Sequence, residues 1–156
     1  MIMISYGLQR SASTFAYQII YDILESAGHD QQELFDRYAG SLISAPFVKL
    51  EDFSLTSFAK CVPPERIILL KTHSFLNEEA ARLIGSGDVI ATASYRNPMD
   101  AAVSLYNVGR KERRKPENKK RKGFLEIDTM FKAIETISAL LPVCEGWIRH
   151  SAVLPI

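Results

Sequence analysis

Cysteine is nearly absent from this chain: of 156 residues, only Cys61 and Cys144 carry a thiol. Two such distant cysteines give no metal-ligand spacing and no disulfide framework, and they fit a reducing, cytoplasmic setting. Long apolar runs are missing too. None approaches the ~20 residues needed to cross a bilayer, and Met1 to Leu8 lacks the basic flank and cleavage site of a secretory signal. Membrane-spanning and secreted classes are disfavoured. The GxxxxGK pattern followed by Ser or Thr is absent, which counts against an ordinary ATPase or GTPase. There is no internal repeat and no low-complexity linker.

What is present is a globular composition, 47% hydrophobic and 24% charged, in a length that suits one domain over residues 1–156. Such a chain buries roughly 70% of its unfolded surface and needs no disulfide or metal staple. Nineteen basic against eighteen acidic residues leave a formal charge of +1, but the charge is uneven. Nine of the nineteen fall between Arg110 and Lys122, opposed only by Glu112 and Glu117, so this window carries +7 and the remainder −6. The run contains Pro116 and almost no apolar residue. It is expected to be a solvated loop, with a flap near a bound anion or an acidic acceptor as the alternative. It lacks the interleaved aromatics that stack nucleic-acid bases.

Along the chain, Ile2–Tyr6 suits a buried strand. A polar loop, Leu8–Thr14, then leads into Phe15, Ile19, Ile20, Ile23 and Leu24 at helical spacing, until Gly28 stops the run. Ile67–Leu70 suits a strand covered on both faces. Asn77 offers an N-cap, and Gly85 and Gly87 close the helix that follows. Asp88–Tyr95 is a third strand candidate, followed by Asn97-Pro98-Met99-Asp100, a strong helix start. From Asp30 to Arg66 short helices such as Gln31–Tyr38 are plausible, but the topology is unreadable. Met130, Phe131, Ile134, Ile137, Leu140 and Leu141 form an apolar stripe expected to be core, with Asp128 or Thr129 as cap, Pro142 as a kink and Trp147 as core. Val153 opens a last strand. Alternation of strands and helices indicates an α/β domain with a parallel sheet.

Gly7-Leu8-Gln9-Arg10-Ser11-Ala12-Ser13-Thr14 lies between a strand and a helix, where backbone N–H groups and the helix dipole favour an anion. Arg10 and the hydroxyls of Ser11, Ser13 and Thr14 add charge and donors. A phosphate or sulfate group suits this loop; so does a plainer arrangement, in which Ser11 or Ser13 caps the helix and Arg10 lies in solvent.

Three segments, GLQRSASTF, ILLKTHSF and SYRNPMDAAVSLY, together resemble the sulfotransferases that use 3′-phosphoadenosine 5′-phosphosulfate (PAPS) as sulfuryl donor. The likeness runs from Ile4 to about Ile156, with a weaker match around Glu145-Gly146-Trp147. It implies a three-layer P-loop-like α/β fold, its central parallel sheet flanked by helices, and no metal. It also implies that Arg10, Ser11, Ala12, Ser13 and Thr14 form the 5′-phosphosulfate loop, that Phe15 lies near adenine, and that Arg96 and Ser104 bind the 3′-phosphate. Lys71 and His73 match the family's Lys-Thr-His segment, with His73 as general base; Arg10 is a fixed charge, because a guanidinium keeps its proton.

The acceptor implied is a hydroxyl or amine on a small molecule or glycan, with no nucleic acid involved. Read without the resemblance, His73 suits a backbone-satisfied strand end, Lys71 a carboxylate partner, Ser104 a helix surface and Arg96 a strand-end cation. Eight residues of helix rise roughly 12 Å, so spacing alone does not bring Arg96 and Ser104 together. His29 and His150 are assigned to structure or surface. Ala12 stands where the family has glycine and Gln9 where proline is common, and the family's later helices and Arg-Lys-Gly segment have no counterpart before Ile156. The chain is therefore expected to be either a fragment or a shortened relative that binds weakly, needs a partner to complete its site, or no longer turns over. The competing functions are a catalytically silent nucleotide- or anion-binding module and, less well matched, a nucleotide kinase.

Overall fold

Four short strands pair in parallel in the order β2-β1-β3-β4 in the computed structural model, which describes residues 1–39 and 46–156. They are β1 (Ile2–Gly7), β2 (Ile68–Thr72), β3 (Val89–Ser94) and β4 (Val153–Pro155). The register aligns Ile2, Ile4 and Tyr6 with Ile68, Leu70 and Thr72 on one side and with Val89, Ala91 and Ala93 on the other. Strand side chains alternate between faces, so one sheet face becomes continuously apolar. Ile2, Ile4, Leu70 and Ala93 are all fully buried there.

Helices flank the sheet: α1 (Ser13–Ser26), α2 (Gln31–Leu34, continuing as a π turn over Phe35–Ala39), α3 (Leu55–Ala59), α4 (Glu78–Ser86), α5 (Pro98–Arg113), α6 (Lys122–Leu125) and α7 (Met130–Ile148). Their starts are chemically marked. Asn77 accepts a hydrogen bond from the Ala80 amide, Asn97 from Met99 and Thr129 from Lys132, and Gly87 closes α4 at φ 81°. Helix α7 is held on the apolar face by Trp147, whose ring stacks on Tyr6 at 4.9 Å and whose Nε1 donates to the Ser74 carbonyl at 2.9 Å. The helix runs on through Pro142.

Two expectations change. The Met130 stripe is core only in part: Ile137 is buried and Leu140 and Leu141 pack against the core, but Met130, Phe131 and Ile134 are exposed, Phe131 by 74%. The buried face is completed instead by Ala133, Cys144 and Trp147. The Arg110–Lys122 run is likewise not a free loop. Its first four residues complete α5, Glu117–Lys119 form a 3₁₀ turn, and Glu112 is buried. In the Asp30–Arg66 stretch, the Gln31–Tyr38 helix appears as α2 with its π turn; residues 40–45 lie outside the described residues. Gln31 is buried there, donating to the Ile67 carbonyl and accepting from the Leu69 amide. His29 accepts from the Ile67 amide and His150 from Ala152, so both serve local structure.

Glu112 ties the basic segment down. Lys115 Nζ donates to its carboxylate at 2.6 Å, and Arg121 donates through Nε at 2.8 Å and its backbone amide at 3.1 Å. These bonds, Lys115's first, hold the carboxyl at about 2 against an ordinary 4.5. A carboxyl depressed in the folded state contributes stability above its unfolded value, and that contribution is lost as pH falls through the window between the two. Calorimetric melting of Glu112→Gln is expected to show a lower Tm than the parent at pH 7, with the gap closing between pH 4.5 and 2; a gap that persists unchanged at pH 2 contradicts this.

Candidate functional site

The site begins where β1 meets α1. A Cβ on Gly7 would collide with the Cβ of Ser13 and the hydroxyl of Ser94, so only glycine lets the helix start this close to the strand. The loop between them turns through two left-handed residues, Arg10 at φ 67° and Ala12 at φ 66°. Ser11 pins it to β3: its hydroxyl lies 3.2 Å from the Ser94 carbonyl and 3.1 Å from the Ser94 hydroxyl, and the Leu8 amide donates to the same carbonyl.

No side chain caps α1, neither Ser11 nor Ser13. An α-helix begins with four N–H groups that lack intrahelical partners. Here Phe15 and Ala16 donate back to the Ala12 carbonyl, and Ser13 and Thr14 line an open cleft of about 560 Å³. Arg10, Ala12, Phe15, Gln18, Arg96 and Ser104 complete its lining. Arg10 Nε donates to the Ser104 hydroxyl at 3.2 Å, joining residues 94 positions apart. Arg96 leans on Asp100 across 4.0 Å, both side chains well exposed. The cleft opens between the exits of β1 and β3, where the chain leaves neighbouring strands toward opposite edges of the sheet, the position at which open α/β sheets collect ligands.

Lys71 and His73 leave β2 on the other flank of the loop. Lys71 Nζ donates to the Thr14 hydroxyl at 2.8 Å and lies 5.8 Å from the Tyr17 ring centre; burial lowers its pKa. His73 Nδ1 bonds the Gly7 carbonyl. A carbonyl can only accept, so Nδ1 carries the proton and Nε2 keeps a free lone pair. Burial lowers the imidazole pKa, with the Lys71 charge acting the same way against the Gly7 bond, so the ring is neutral at pH 7. His73 also lines a second cavity, of about 460 Å³, with Phe47, Phe75, Leu140 and Val143 as apolar walls and Lys49, Glu51 and Asp52 among its charged lining. Phe47 packs edge-on against the imidazole at 5.3 Å.

The fold thus gathers Arg10, Ala12, Ser13, Thr14, Phe15, Arg96 and Ser104 around one cleft, with Lys71 on Thr14 and His73 on Gly7. Ser11 stands apart, its hydroxyl turned to Ser94 as an anchor of the loop. Phe15 is 69% exposed at the cleft edge. Sequence reasoning passed over Gln18, which stands four residues after Thr14 on the same face of α1, and read Asp100 only as part of a helix start, whereas it faces Arg96. It also passed over Phe47 and Glu51, whose segment docks on β2 through Val48 and Pro46. Comparison with protein-family models and with curated proteins finds no match.

Ala12 holds a conformation that crowds its Cβ, at roughly 1 kcal/mol or more. Ala12→Gly is expected to raise Tm by about 2–4 °C in a domain of this size, measured by calorimetry; an unchanged or lower Tm contradicts the left-handed geometry.

Proposed function

We propose that this chain is a PAPS-dependent sulfotransferase with a P-loop-like fold, moving a sulfuryl group onto an acceptor hydroxyl or amine. The observation that carries this reading is the uncapped start of α1 opening into a cleft that holds Arg10 and Arg96, beside a neutral histidine with a free Nε2. The three-segment resemblance supplies the identity of the anion. In this reading, Ser13 and Thr14 amides, Arg10 and Lys71 hold the 5′-phosphosulfate, and Arg96 with Ser104 takes the 3′-phosphate.

Sulfuryl transfer needs alignment and stabilisation of the charge that grows on the departing phosphate. Arg10 is always cationic and Lys71 is fixed by Thr14, so both meet that charge without rearranging. The acceptor loses its proton to His73 Nε2 as it attacks, and the Gly7 bond at Nδ1 stabilises the imidazolium that results. The cavity beside His73 has the size of an ordinary ligand pocket, and its apolar walls suit the body of an acceptor.

Calorimetric titration with 3′,5′-ADP and 5′-AMP tests the donor site. Preference for the 3′-phosphorylated ligand is expected, and Arg96→Ala should remove roughly a factor of ten or more from that preference. Equal affinity for the two ligands in the unaltered protein contradicts the reading. His73→Ala is expected to reduce transfer by about 10²–10⁴-fold with donor affinity unchanged. Because burial lowers its pKa, the acid limb of the rate profile should lie below the ordinary imidazole value of 6.5. Tight donor binding with no transfer to any of a panel of phenols, alcohols and amines would instead identify a silent nucleotide-binding module.

A further inference from the structure

The donor cleft does not end at Ser104. It continues along α5 as a groove of about 290 Å³ lined by Arg10, Arg96, Asp100, Ser104, Asn107 and Lys111. We propose that Lys111 is the second cation of the 3′-phosphate subsite, a residue that sets preference for ligands phosphorylated on the ribose 3′ position. The identity of the ligand rests on the sulfotransferase reading above; the position of the cation does not.

Three observations lead here. The first is helical geometry: Ser104, Asn107 and Lys111 follow one another at spacings of three and four residues, so they share a face of α5, the face that also bounds the donor cleft. Seven residues rise about 10.5 Å, but side chains on a helix tilt toward its N-terminus, so the long lysine stem is directed back toward Ser104 and Arg96.

The second is charge. Arg96 faces Asp100 at 4.0 Å, so that pair alone presents almost no net charge to a phosphate. A dianion seated there needs another cation; Arg10, which also lines the groove, is assigned to the 5′-phosphosulfate, and the further lining cation is Lys111.

The third is availability. Within the basic segment Lys115 and Arg121 are engaged by Glu112, Lys120 by Glu117, and Arg113 by the Ile127 and Asp128 carbonyls. Among the described residues Lys111 has no carboxylate within ion-pair distance. The basic segment thus holds a clamp around the buried Glu112, and among its cations without a carboxylate partner Lys111 is the one that lines the groove.

The test is calorimetric titration of 3′,5′-ADP and 5′-AMP into the full chain and into Lys111→Gln, Lys111→Arg and Lys122→Gln. Lys111→Gln should weaken 3′,5′-ADP by about tenfold and leave 5′-AMP within about twofold. Lys111→Arg should retain most of the affinity. Lys122→Gln, which changes the net charge of the segment by the same amount outside the groove, should change neither ligand. An undiminished preference in Lys111→Gln, or an equal loss in Lys122→Gln, overturns the proposal while leaving the donor site standing. Absence of any preference in the unaltered protein overturns both.

Discussion

Gly7 leaves no room for a side chain, because the first turn of α1 lies directly against it. Without a side chain at that point, the helix begins almost on top of the strand end, and the loop has to turn through the left-handed region at Arg10 and Ala12 to make the connection. That tight turn leaves α1 without a capping side chain, although Ser11 and Ser13 stand beside it. Ser11 is spent instead on Ser94, which fixes the loop to the exit of β3 and brings Arg96 to the same cleft. An uncapped helix start and two guanidinium groups then follow from one steric fact. The helix starts at Asn77, Asn97 and Thr129 are, by contrast, satisfied by their own side chains.

The loop also divides two unlike environments. On one side lies the charged cleft, bounded by Arg10, Arg96 and Ser104. On the other, Phe47, Phe75, Leu140 and Val143 make an apolar chamber around His73. The Gly7 carbonyl touches the second environment through His73, and the Thr14 hydroxyl touches Lys71. For a group transfer this division is useful. In the proposed transfer, the charged side would take the anionic donor and the apolar side the acceptor, with His73 held on the Gly7 carbonyl of the loop that separates them.

Much of this was legible in the sequence, where the determinants are local. Short aliphatic runs located β1, β2 and β3 to within a residue or two, and Asn77 and Asn97-Pro98 marked helix starts. The glycine, arginine and hydroxyls marked the loop as one suited to an anion, and the structure brings Arg10, Ser13 and Thr14 to one cleft. What escaped was set by distant partners. Ser11 is a plausible cap until Ser94, 83 positions away, claims its hydroxyl. The basic run looks solvated until Arg121 folds back onto Glu112. The start of α3 is held by Glu79, which accepts from the Leu55 and Thr56 amides more than twenty positions earlier. For α7, periodicity gave the helix and part of its buried face but not the limits of that face, because Phe131 and Ile134 are as apolar as Ile137 and only packing distinguishes them.

If the free N–H groups at the start of α1 seat the anion, titration of the ¹⁵N-labelled chain with 3′,5′-ADP moves the Ser13 and Thr14 amide protons downfield in a saturable manner and leaves the already capped Ala80, Met99 and Lys132 amides unmoved. Saturable binding that leaves Ser13 and Thr14 in place and shifts another part of the molecule would contradict it.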